Sequence, residues 1–263
     1  MDFIAFSIGN IDIYWYGLII LGAILLGLLI NKIFFKLYQE KMEPLFNLLV
    51  WAIPSSLIVA RILYVIIHKD IYVDNLLNIF CIWQGGLSIY GALIGFFVAS
   101  IVFFYKNNYD MWKWLDLLIP SIIFGLIIMQ ITNFMMQFSV GIPLGLDIPN
   151  DHSLAEYIEY KYRPTGFEAY QYFQPVALYQ AFLYTIILII TSLLLIFNKK
   201  YKYLAKGTIF LASILSMAIV RFYIGFMYLS VDKDMIFYPM QWIALVVIVL
   251  TTIIYIMKRK QKI

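Results

Sequence analysis

Seven apolar stretches, each close to the roughly 20 residues a helix needs to cross a bilayer, leave this chain few folds to choose from. They lie at about 13–31, 45–67, 85–105, 115–139, 174–197, 207–229 and 237–257. Across all 263 residues, 63% are hydrophobic and 13% are charged. A water-soluble domain of this length has no interior large enough for so much apolar side chain, which makes the chain an all-α, polytopic membrane protein. The stretches are continuously apolar instead of alternating, which excludes a membrane β-barrel. One seven-helix membrane domain over residues 1–263 is expected. The long connection at 140–173 would form a small extracytoplasmic cap within it, since loops above 12–15 residues in compact domains tend to carry structure or function.

Charge sets the expected orientation. The connections after the first, third and fifth stretches, with the C-terminal tail, hold 13 of the 19 basic residues. The opposite side has Lys69, Lys161, Arg163 and Lys233. By the positive-inside rule the N-terminus lies outside and the C-terminus in the cytoplasm. The formal charge of +4 is therefore a property of helix ends, and it does not point to nucleic acid. A single cysteine, Cys81, excludes an internal disulfide and a cysteine metal site. The two histidines, His68 and His152, fall in separate loops and read as solvated, so no metal is expected. The N-terminus lacks a basic n-region and a small-residue cleavage site, so no removable signal peptide is expected.

Two arginines remain, Arg61 and Arg221, both inside apolar stretches. A mid-membrane arginine costs about 2.5–3.5 kcal/mol on insertion scales, so each needs a reason. Arg61 lies about six residues, roughly 9 Å, from the outer end of its stretch, and Arg221 about eight residues, roughly 12 Å. Asp116, the one carboxylate inside a stretch, sits at the opposite end of its helix, too far to neutralise both. Either each guanidinium snorkels, or an outside anion lies between them, and the natural anion at that depth is a phospholipid phosphate. Gln130 and Asn133 fall at a similar level, and buried amides need hydrogen-bond partners from another helix or a ligand. Residues 83–95, WQGGLSIYGALIG, put Gly91 and Gly95 four apart, the spacing of a close helix contact. Gly85 and Gly86 suit a bend at the membrane entry. The polar Gln84, Ser88 and Tyr90 around them suggest a lined cavity at the mouth of the same helix.

Eight short motifs occur in one order: WYGLII from Trp15, ARILYVI from Ala60, WQGGLSIYGALIG from Trp83, DLLIPSI from Asp116, TNF from Thr132, QPVALYQ from Gln174, RFYIGF from Arg221 and PMQW from Pro239. In that order the chain resembles the bacterial prolipoprotein diacylglyceryl transferases over nearly its whole length. The resemblance implies a multi-pass protein of the bacterial cytoplasmic (inner) membrane. It implies transfer of the diacylglyceryl group of phosphatidylglycerol to the thiol of a lipobox cysteine in a lipoprotein precursor, with release of glycerol phosphate and no cofactor. Mapped onto this chain, Arg221, Tyr90 and Gln130 are the expected catalytic residues. Arg61, Asn133, Tyr16, Tyr64, Ser88, Gly141, Gln174 and Tyr179 are the expected substrate-binding residues.

The chain also departs from the family pattern. His-Gly-Gly becomes Tyr90-Gly91-Ala92, and the RxGNxxNxE-type signature carries Gln130, Thr132, Met136 and Phe138 at four of its positions. His-Pro becomes Gln174-Pro175, the glutamate of LYE becomes Gln180, and a glutamate and an arginine after Arg221 become Gly225 and Tyr228. Most of the ionisable groups have become neutral. Two readings follow: a diverged transferase that binds phosphatidylglycerol, or a non-catalytic paralogue that binds lipid or lipoprotein. A transporter finds no support in an inverted repeat or a broken-helix pair.

Overall fold

The computed structural model describes residues 4–8, 11–69, 79, 88–145, 154–229 and 239–260. Among the described residues there are seven helices, six of them long and apolar enough to cross a membrane. They are α1 (Trp15–Tyr38), α2 (Glu43–Ile67), α3 (Ile89–Lys106), α4 (Met111–Met135), α5 (Val176–Tyr201), α6 (Thr208–Gly225) and α7 (Pro239–Lys260). The remaining helix, α3, with 18 residues, is about 27 Å long at 1.5 Å per residue, close to the hydrocarbon thickness. Large apolar side chains point away from the protein along these helices, among them Val50, Trp51 and Phe182 at 67–68% exposure. Such surfaces are stable against lipid and not against water.

Four helices end on a non-glycine residue in the left-handed region: Gln39, Asn108, Gln137 and Lys202 follow α1, α3, α4 and α5. That conformation lets a backbone N–H reach back to the last carbonyls of the helix, as Lys202 N does to Asn198 O. The N-terminus holds a hairpin that the apolar pattern did not announce, β1 (Ile4–Ile8) paired antiparallel with β2 (Ile11–Tyr14). Its sequence signal is the Gly9-Asn10 pair between two short runs rich in isoleucine.

The chain divides into two compact units, residues 1–37 with 115–263, and residues 38–114. In the second unit α2 and α3 pack backbone to backbone. A Cβ on Gly91 would lie 2.6 Å from Val59 O, and one on Gly95 would lie 2.7 Å from Ser55 O. The Ser56 hydroxyl donates to Ala92 O at 2.8 Å across this contact, and Ser88 N donates to Ala60 O at 3.1 Å. The Gly91–Gly95 spacing is thus spent on helix packing.

In the first unit a three-stranded sheet in the order β3 (Pro143–Gly145), β5 (Tyr172–Phe173), β4 (Glu156–Tyr157) lies at one end of the helices. It sits where α4 ends and α5 begins. Gln137, just past α4, donates its side-chain amide to Tyr157 O at 2.8 Å. Tyr179 in the first turn of α5 donates its hydroxyl to Leu154 O at 3.3 Å. Arg163 ties the connecting segment together, giving Nε to Ile158 O at 3.0 Å and Nη1 to Glu168 O at 2.8 Å.

Asp116, near the other end of α4, accepts from Gly207 N and, at 2.7 Å, from Phe210 N. It therefore caps the N-terminus of α6 from a neighbouring helix, satisfying orphan donors and facing the positive end of the helix dipole. Replacing Asp116 by alanine should cost about 1 kcal/mol, the usual loss on removing an N-cap. Thermal unfolding of the purified variant would register it as a lower midpoint.

Candidate functional site

The end of α6 is shorter than its apolar run. The helix stops at Gly225, and the next residues turn away: Phe226 N bonds Tyr223 O at 3.2 Å and Met227 N bonds Ile224 O at 2.9 Å. Tyr228 then forms an antiparallel bridge with Gly141. Arg221 consequently lies four residues from the helix end, roughly 6 Å, and not the eight residues expected from hydropathy. Phe226, Met227, Tyr228 and Leu229 are apolar enough to mimic a helix, yet they are turn and bridge.

Three helix ends meet the sheet in this unit: the C-termini of α4 and α6 and the N-terminus of α5. Arg221 donates Nη1 to Gln180 Oε1 at 2.8 Å and to the Tyr228 hydroxyl at 3.1 Å. Its guanidinium also lies over the Tyr228 ring, 5.2 Å from the centroid. Gln180 in turn donates Nε2 to the Tyr184 hydroxyl at 2.7 Å. All these partners are neutral. Among the described residues the ion pairs are Lys113 with Glu40 and Lys161 with Glu159, both elsewhere. The hydrogen bonds orient Arg221 without cancelling its charge, an arrangement suited to an anionic ligand.

On α4, Asn133 donates its side-chain amide to Gln130 Oε1 at 3.2 Å, so the two amides three residues apart partly satisfy one another. Gln130 is buried. Gly141 is glycine for a steric reason, because a Cβ there would fall 2.3 Å from Gln174 O. The 140–142 segment is threaded between two strands of backbone: Leu229 N bonds Val140 O at 3.1 Å, and both Ile142 N to Met227 O and Gln174 N to Ile142 O are 3.0 Å. Tyr16 meets the Phe138 ring edge to face at 6.3 Å, and Tyr179 is committed to the Leu154 carbonyl.

In the second unit Arg61 is buried and donates Nε to Ile79 O at 2.8 Å. Tyr64 stacks on His68 with centroids 4.3 Å apart. Ser88 is the N-cap of α3, accepting from Gly91 N at 3.4 Å. Tyr90 lies in the first turn of α3, and its side chain lies outside the described residues, as do Gln84, Gly85, Gly86 and His152.

One group that sequence reasoning passed over is Glu156. It is 4% exposed, and both its carboxylate oxygens are buried without a hydrogen-bond partner. It sits on β4 opposite the fully buried Phe173, and the Gln174 side-chain oxygen next along β5 is likewise a buried acceptor without a donor. Removal from water raises the Glu156 pKa from 4.5 to about 7. An acid with a native pKa above its unfolded one holds a proton in the fold that the unfolded chain gives up. Its contribution to stability is therefore intact at and below pH 4.5, falls as the pH rises toward 7, and is lost above that. The full shift corresponds to roughly 3 kcal/mol. Hydrogen-exchange protection of the sheet should fall between pH 5 and pH 8, and Glu156→Gln should flatten that fall.

A family profile described as prolipoprotein diacylglyceryl transferase matches residues 3–257. A Listeria innocua protein named phosphatidylglycerol–prolipoprotein diacylglyceryl transferase is 34% identical over 224 residues, covering 85% of this chain and 78% of that one. A protein of the same name from Lysinibacillus sphaericus is 35% identical, covering 84% and 78%. One from Lactobacillus acidophilus is 30% identical over 260 residues, covering 98% and 90%.

Proposed function

Because the chain belongs to the prolipoprotein diacylglyceryl transferase family, we propose that it binds phosphatidylglycerol by its phosphate at Arg221 and passes the diacylglyceryl group to a precursor thiol. The observation that carries this reading is the guanidinium held at the sheet-bearing end of α6 by two neutral partners. The membrane is the bacterial cytoplasmic membrane and the sheet faces outward, in keeping with the distribution of basic residues.

In this reading the thiolate attacks the glycerol carbon that carries the phosphate. A C–S bond forms as the C–O bond breaks, and the electron pair leaves on the phosphate oxygen. Negative charge grows on that phosphate, and Arg221 stabilises it more in the transition state than in the bound lipid. The thiol proton goes to water. A thiol of pKa near 8.5 is already a few per cent ionised at neutral pH, so the reaction proceeds slowly without a dedicated base.

A second reading, a lipid-binding paralogue without chemistry, is favoured by the neutral set Gln130, Phe138, Gln174, Gln180 and Gly225. Rescue of a strain depleted of its own transferase separates the two. The transferase reading expects growth and thioether-modified lipoproteins, both lost with Arg221→Ala. An inserted, folded chain that never rescues would leave the paralogue.

A further inference from the structure

The residues around Arg221 raise a question that the phosphate site alone does not answer: what fixes the end of α6, on which both Arg221 and Tyr228 depend. At that end the Phe226 N–H turns to Tyr223 O, tightening the last turn of the helix. A side chain from the next helix reaches the neighbouring Phe222 carbonyl. Gln241, in the first turn of α7 and 1% exposed, donates Nε2 to Phe222 O at 3.2 Å. It reaches that carbonyl through space that Gly225 leaves open. A Cβ on Gly225 would lie 2.4 Å from Gln241 Cγ, 2.7 Å from Cδ and 2.9 Å from Nε2. Any side chain at 225 and the amide of Gln241 in this pose exclude each other.

We propose that Gln241 is a positioning residue for Arg221: it caps α6 from outside the helix, and the turn it fixes delivers Tyr228 to the guanidinium. The path is short and each link is a contact. Gln241 holds Phe222 O, next in the chain to Arg221. The turn that follows places Met227 O against Ile142 N and Tyr228 beside Gly141, and the Tyr228 hydroxyl closes the loop on Arg221. Gly225, where the family pattern would place a glutamate, leaves the room that the Gln241 amide occupies in this structure. This inference rests on the phosphate-binding reading for its functional consequence, though not for its geometry.

The test uses the full chain in lipid nanodiscs. Gln241→Leu removes the donor at similar volume, and Gly225→Ala displaces the amide without touching it. Each should raise the KM for phosphatidylglycerol on the order of tenfold, the effect of one lost hydrogen bond of positioning. In a Tyr228→Phe background, whose hydroxyl contact is already gone, Gln241→Leu should add less than twofold. A purely structural glutamine would contribute its whole factor again, and that additivity would overturn the proposal. A readout without lipid comes from 3-fluorotyrosine at position 228, whose 19F resonance should move with Arg221→Ala and with Gln241→Leu alike. A resonance that ignores Gln241→Leu overturns the inference whether or not lipid binds. Equal lipid binding by wild type and Arg221→Ala would instead overturn the phosphate reading and leave the 19F result to decide the positioning.

Discussion

Replacing Arg221 by alanine should lower the rate of diacylglyceryl transfer by about 10²–10³-fold, the range seen when one preorganised donor to a developing anion is removed. The substitution takes away the charge and leaves the fold largely in place. Gln180 loses one donor to its oxygen yet keeps its own bond to Tyr184, so the stability cost stays near the 1–3 kcal/mol of one unsatisfied group. Lysine should recover little of the activity. Its ammonium is a point charge and cannot hold Gln180 and Tyr228 while presenting a second edge to phosphate. A chain that inserts normally, unfolds within a few degrees of wild type and transfers at background rate is the expected phenotype.

The largest effect on stability belongs to the α2–α3 contact. Gly91→Val or Gly95→Val should destabilise the protein by 1–3 kcal/mol or more, since the added carbon meets main chain that cannot rotate aside. Val59 O and Ala60 Cα lie 2.6 and 2.7 Å from the site of a Gly91 Cβ, and Ser56 Cα lies 2.9 Å from that of Gly95. Separating the helices also lengthens the bonds from Ser56 to Ala92 and from Ser88 to Ala60. Gly17 and Gly22 are matched controls, because a Cβ at either meets nothing within 4 Å. Thermal unfolding should rank Gly91→Val and Gly95→Val far below Gly17→Val and Gly22→Val. Equal midpoints across the four would mean that the close helix contact is not formed.

Much of this architecture is legible in the sequence, and the reasons differ from element to element. The helices follow from apolar length, and a close helix contact at α3 from the spacing of Gly91 and Gly95, whereas its partner α2 shows only in the fold. Helix ends were less legible. Residues 226–229 are as apolar as the helix before them, and only their pairing with residues 140–142 shows that they have left it. Glu156 was hidden for a different reason, since a carboxylate among polar residues in a loop reads as solvated. Its burial depends on the strand pairing with Phe173, a partner 17 residues on. Gln241 carried no signal of its own in PMQW, because its meaning comes from the vacancy at Gly225 on another helix. The exchange of titratable residues for amides is plain in the sequence, whereas the use made of them, Gln180 holding Arg221 and Gln130 holding Asn133, depends on how the helices pack.

The most direct measurement is mass analysis of a lipobox peptide incubated with the purified chain in nanodiscs, with phosphatidylglycerol or with phosphatidylethanolamine alone. With phosphatidylglycerol the peptide should gain one diacylglyceryl group on its cysteine, and with phosphatidylethanolamine alone or with Arg221→Ala it should gain none. An unmodified peptide beside folded wild-type chain in phosphatidylglycerol would contradict transfer, and modification that persists in Arg221→Ala would contradict the role given to that guanidinium.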